Sequence, residues 1–132
     1  MGVTKKHEPE YTLHVFHGTN PETAEAVTAF AIRTTREFVS FMYEIPLEIG
    51  LKDSTIDLRV HGLRVPENLV SGKGHAHGVA LLRKLKGDFS LNITNVDGAI
   101  NRFSVKVLSR EIVVKRLSKK PFVIYSTEKI RL

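Results

Sequence analysis

The sequence predicts an α+β fold: a curved antiparallel sheet of about six to eight strands, with one long helix over residues 20–38 packed across its concave face. Three observations predict it. Ala24, Val27, Phe30, Ala31, Thr34 and Phe38 recur at spacings of three and four, the stripe by which a helix covers a surface. The stretch opens with Thr19 or Asn20 as a cap and Pro21 in the first turn, where a missing N–H costs nothing. Most of the remaining chain alternates apolar and polar residues with period two, the pattern of half-buried strands. Glu22 and Glu25 near the start, and Arg33 and Arg36 near the end, also suit the dipole of a helix.

Residues 1–10 are polar and expected to be flexible, and residues 11–132 form a single domain without repeats or linkers. A first strand is expected over residues 11–16, with Leu13 and Val15 on one face and His14 and Phe16 on the other. Beyond the helix, Phe41, Tyr43, Ile45, Leu47 and Ile49 alternate with polar residues, and Pro46, which lacks a donor, places this strand at an edge or a bulge. Ile56, Leu58 and Val60 mark the next strand, facing inward, with Asp57, Arg59 and His61 outward. Of the hairpin registers that keep both apolar faces together, the one pairing Leu47 with Ile56 sets Glu44 against Arg59. Slips of two residues either way oppose Asp57 to Glu48 or Glu44. Residues 63–78 read as a glycine-rich loop, and residues 79–86 suit a helix or a strand equally. The clearest hairpin spans residues 89–107. Parity selects a three-residue loop, Val96-Asp97-Gly98, with Gly98 in the left-handed conformation and Leu91 opposite Phe103. Residues 111–117 and 122–126 add two further strands around a Ser-Lys-Lys-Pro turn.

With 132 residues, 42% hydrophobic and 26% charged, the chain can bury a core without covalent staples. It has no cysteine, which excludes disulfides, thiolate metal sites and cysteine nucleophiles and suits a reducing, cytoplasmic setting. No apolar run approaches the length of a membrane span, and residues 1–10 lack the apolar core of a signal peptide. Lys6 stands where myristoylation after Gly2 would want Ser or Thr, and the Asn92-Ile93-Thr94 sequon is read as incidental. The net charge of +6 is unevenly placed. From Arg102 onward nine basic residues face two acidic ones, so this segment carries the whole surplus. Such asymmetry points to an anionic partner.

Few residues suggest reaction chemistry. His75 and His77, one residue apart, would point to one side of an extended segment, as a chelating metal pair needs. His14 and His17 would face opposite ways. Gly72-Lys73-Gly74 could offer an anion nest with Lys73, but Glu67 and Gly74 occupy the positions where a phosphate-binding Walker loop wants Gly and Ser or Thr. No Gly-x-Ser-x-Gly elbow is present, and Asp57, His61, Glu44 and Glu48 read as a polar sheet face with a Glu44–Arg59 pair rather than an acid–base set. No residue is assigned a catalytic role and no cofactor is expected.

The basic stripe is the main functional expectation. Arg102, Lys106 and Lys115 fall on the outward phase of their strands, and Lys119 and Lys120 sit in the adjoining turn. Tyr125 is the one aromatic available for base stacking. The expected function is a non-catalytic binding or complex-subunit protein that contacts an acidic macromolecule, nucleic acid or protein, through this surface. The alternative is a small enzyme or ligand- or metal-binding protein with a pocket near His61 and His75–His77. A helix wrapped in an antiparallel sheet resembles the hot-dog-like enzymes, an analogy of fold alone that implies a homo-oligomer. The apolar Ile112-Val113-Val114 run adds the expectation that another chain covers it.

Overall fold

In the computed structural model the described residues, 10–38, 43–65, 74–117 and 122–126, contain no helix. They form nine strands: β1 (Tyr11–Thr19), β2 (Ala26–Phe38), β3 (Leu47–Lys52), β4 (Thr55–Val60), β5 (Gly74–Arg83), β6 (Gly87–Thr94), β7 (Ile100–Val107), β8 (Ile112–Arg116) and β9 (Val123–Ser126). Two sheets result, one in the order β5-β2-β1-β9 and the other β3-β4-β6-β7-β8. Leu13, Val15, Phe30, Ile32 and Val123 of the first sheet share one core with Ile56, Leu58, Leu91, Ile93, Phe103 and Val105 of the second. This is a two-layer β-sandwich. The pairing is mixed, because β1–β9 and β4–β6 run parallel and the other ladders antiparallel.

The α+β expectation is therefore overturned, and the analogy to hot-dog-like enzymes falls with its helix. Residues 20–38 instead make a short turn followed by the thirteen-residue strand β2. The capping signals are real but local. Asn20 Oδ1 accepts the Glu22 N–H at 2.9 Å, and the Ala24 N–H reaches the Asn20 carbonyl at 2.8 Å, closing one helical turn. Ala24 then takes φ +62°, the left-handed conformation that ends a helix, and Asn20 N–H bonds Glu25 C=O. The chain enters β2 rather than a second turn. In β2, Thr28, Phe30, Ile32 and Thr34 face the core, while Val27, Ala29 and Ala31 are buried on the opposite face. A strand buried on both faces reads as a nearly continuous apolar run, which contains helical spacings by accident. Its Val, Thr, Phe and Ile content favours the extended form.

The remaining elements follow the sequence more closely. The β6–β7 ladder pairs Leu91 with Phe103, and Gly98 adopts φ +87° in the expected three-residue loop. Asn95 organises that loop, its Oδ1 accepting the N–H groups of Asp97 and Ala99 at 3.0 and 2.9 Å. The inward phase of β4 is as expected, but its register with β3 is not. Leu47 pairs with Val60 and Glu48 with Arg59, so the hairpin closes tightly at Asp53-Ser54 with Asp53 at φ +55°. Sliding the pairing this far keeps apolar faces together and still opposes a carboxylate to Arg59. Glu44 instead bridges Arg64, 2.8 Å away. Of the ambiguous residues 79–86, residues 79–83 extend β5, which starts at Gly74 inside the expected loop, and residues 84–86 connect it to β6; residues 66–73 lie outside the described residues.

Side chains hold the strands where backbone pairing stops. Gly78 faces the Ile45 carbonyl so closely that a Cβ would collide with it, and Ile45 N–H bonds His77 C=O at 2.9 Å, joining β5 to the entrance of β3. Thr34 Oγ1 accepts the Ala76 N–H at 3.0 Å where the β2–β5 register shifts. Asn101, 3% exposed, accepts the Phe122 and Val123 N–H groups at 2.8 and 3.2 Å and so ties β9 to β7 across the sheets. Tyr11 packs edge-on against Phe122 at 6.5 Å, and its phenol is pushed above its ordinary pKa of 10.0 by burial first, then by Glu10 and Asp97.

Three stability predictions follow from these features. Ala24→Gly removes left-handed strain of about 1–2 kcal/mol against about 0.5–1 kcal/mol of added chain entropy. Urea denaturation should therefore show a small gain in stability. Asn101→Ala strands two backbone donors and should cost about 2–5 kcal/mol in the same assay. A raised phenol pKa means that Tyr11 contributes fully below pH 10 and progressively less as the pH rises above it. Thermal melts of the native chain should fall more steeply above pH 10 than those of Tyr11→Phe.

Candidate functional site

The outward face of the second sheet carries the cationic side chains that the sequence singled out. Register assembles them. Ser104 of β7 lies opposite Lys115 of β8 and opposite Ser90 of β6. Arg102 and Lys106 stand two residues to either side of Ser104, at about 7 Å along the strand for a rise near 3.4 Å per residue. All three cations are exposed and share one face, because each occupies the same phase of a regular ladder. Lys119 and Lys120 lie outside the described residues, so the face described here rests on the other three.

The face is basic but not uniformly so. Asp88 of β6 is directly opposite Lys106, and Asn92 is opposite Arg102. Asn92 in turn donates from Nδ2 to Asp57 Oδ1 at 3.3 Å, which engages that carboxylate one strand away from Arg102. Large apolar groups also emerge among the cations. Val113 is 49% exposed and Leu117, just past the end of β8, 58% exposed, flanking Lys115 on the same row. The sequence predicts a 112–114 strand apolar on both faces and covered by another chain. The structure buries Ile112 and Val114 and leaves Val113 outside. The alternation Val113, Lys115, Leu117 was the signal for this. Tyr125 offers no stacking platform on this face: it takes the inward phase of β9 and meets Phe103 edge-on at 5.9 Å.

The histidines are dispersed. His77 is exposed on the outer face of the first sheet, opposite Arg33 in the ladder. Lys73 and the His75 side chain lie outside the described residues. His14 and His17 fall on opposite faces of β1, as the alternation requires; His17 Nε2 donates to the Leu108 carbonyl at 2.7 Å. Among the described residues no group of three or more His, Asp and Glu side chains is placed to hold a metal ion. A shallow hollow of about 240 Å³ does open beside His61, lined also by Arg59, Thr94 and Asn95, and His77 is not among its described lining residues. The expected pocket near His61 and His75–His77 falls partly on residues 66–73 and the His75 side chain, outside the described residues. No helix among the described residues is long and apolar enough to cross a membrane.

Comparison of the chain with protein-family models, with curated proteins and with solved structures finds no match in any of them.

Proposed function

We propose that the protein is a non-catalytic β-sandwich binding module that docks an acidic protein partner on the outward β6–β7–β8 face. The observation that supports it is the grouping of Arg102, Lys106 and Lys115 around Ser104, with Val113 and Leu117 exposed in the same rows. Cations interleaved with half-exposed apolar side chains suit a protein surface that is both acidic and apolar. Nucleic acid, the other class of anionic partner, fits less well. Asp88 and Asp57 interrupt the positive field, and among the described residues no aromatic ring stands beside the cations to stack on a base. Charge on this face would chiefly steer encounter and orient the partner, while the apolar residues supply desolvated contact area.

The test is a combined Arg102→Gln, Lys106→Gln and Lys115→Gln variant, checked for an unchanged circular dichroism spectrum and melt. Binding to a fluorescent polyglutamate-containing peptide should weaken about tenfold if each exposed pairing contributes about 0.5 kcal/mol. The loss should shrink as salt is raised. Undiminished binding by the folded variant would remove the reading.

A further inference from the structure

The β7–β8 ladder runs without a break from Phe103↔Arg116 to Val107↔Ile112. It continues at both ends, through Leu117 N–H to Arg102 C=O and Leu108 N–H to Glu111 C=O, each 2.9 Å. In an antiparallel ladder, residues whose backbone groups face the partner alternate with residues whose groups face away. Glu111 and Leu117 face β7, so Val113 and Lys115 do as well. Ile112, Val114 and Arg116 then present their N–H and C=O groups to the opposite side, where no described strand pairs with β8.

We propose that this edge of β8 takes up an extended acidic segment of a partner protein by strand addition. The proposal rests on the basic-face reading above and specifies how the partner is held. Natural edges are guarded against other chains by proline, bulges, short length or charged side chains, of which charge repels like strands but admits a complementary one. Residues 111–117 contain no proline and the ladder has no register shift, while the five-residue β8 carries Lys115 and, on the phase of the apolar Ile112 and Val114, Arg116, so charge screens what this edge can accept. Charge selects the occupant. Lys115 and Arg116 on β8, with Arg102 and Lys106 behind them on β7, outnumber Glu111, the sole carboxylate of residues 111–117. A second copy pairing edge to edge would bring the Lys115–Arg116 pairs of both chains into one short ladder, which like-charge repulsion opposes. An acidic strand meets the same positions with opposite charge. Its outward row would lie beside Val113, Lys115 and Leu117, and its inward row would continue the core past Ile112 and Val114. Main-chain bonds to three residues would supply affinity, and the flanking side chains would choose the sequence.

The experiment uses the full chain and a short peptide of alternating glutamate and valine, with affinity read by fluorescence anisotropy. Arg116→Gln removes one charge, whereas Arg116→Pro also removes a donor that β7 does not use, so the native ladder survives. The proline variant should bind about tenfold more weakly than the glutamine variant, the loss of a little over one kilocalorie of edge bonding. Hydrogen exchange on the wild-type chain provides a second readout that does not depend on the variants folding. Peptide should slow exchange at the Ile112, Val114 and Arg116 amides and leave Val113 and Lys115, already bonded to β7, unchanged. Equal affinity of folded Arg116→Gln and Arg116→Pro, or peptide binding without protection of those three amides, would overturn strand addition. So would protection of the same amides in the free chain at concentrations where it dimerises, or saturable binding of an oligonucleotide with none of the peptide. The arms separate the two proposals. If the triple-Gln variant binds the peptide as well as the wild type, the basic face is not the site; if it loses binding while the Arg116 variants agree, only the edge is excluded.

Discussion

The sandwich depends on β2 being buried on both faces. Phe30 and Ile32 enter the core shared with the second sheet, while Ala29 and Ala31 pack behind them against Phe16 and Leu81. Burying a side chain such as Phe30 or Ile32 contributes about 1.5–3 kcal/mol. That gain requires neighbours above, below and to both sides. β1 and β5 supply the sides, and both are long enough to pair along most of the strand. With β2 central, the first sheet has a fixed position over the second, and β5 is brought to the Ile45 crossing where only Gly78 fits.

The two-layer arrangement leaves polar backbone to be satisfied at its corners, and specific side chains do this. Thr28 Oγ1 accepts the Leu85 N–H at 2.9 Å where the chain leaves β5, and Asn101 accepts two N–H groups where it enters β9. Asn101 joins β7 to β9, which no ladder pairs, and Thr28 holds the chain just past the end of the β2–β5 ladder. Bonds of this kind are modest in net worth, but leaving their donors unpaired is expensive. They are specificity devices for the connections, set at the ends of strands whose interiors are apolar.

The proposed binding would use what such a sandwich leaves outside. One sheet face of β6, β7 and β8 is polar and cationic, and one edge of β8 has backbone groups unused by any described strand. The two features adjoin, since Lys115 of the face lies between the edge residues Val114 and Arg116 on β8. A flat face gives charge complementarity but little depth, and an edge gives directional bonds without side-chain selectivity. Together they would recognise an extended acidic chain better than either could alone.

Much of this was legible in the residues. Period-two alternation located β1, β4, β6, β7, β8 and β9, and the inward faces of β4, β6 and β7, because half-buried strands record their environment in every second position. Parity also determined the β6–β7 register and the left-handed Gly98. The outward phase of Arg102, Lys106 and Lys115 followed from the same rule. Two things escaped it. The Asn20 cap and the threes and fours of residues 24–38 spelled a helix, because burial on both faces erases the alternation that would have announced a strand. The β3–β4 register escaped because several slips satisfy both apolar pairing and charge, and a two-residue turn at Asp53-Ser54 decided among them. Local pattern alone fixed which faces are apolar and where charge lies. Tertiary structure decided how many layers those faces need and which edge no described strand pairs, since only the packing of distant strands against one another sets both.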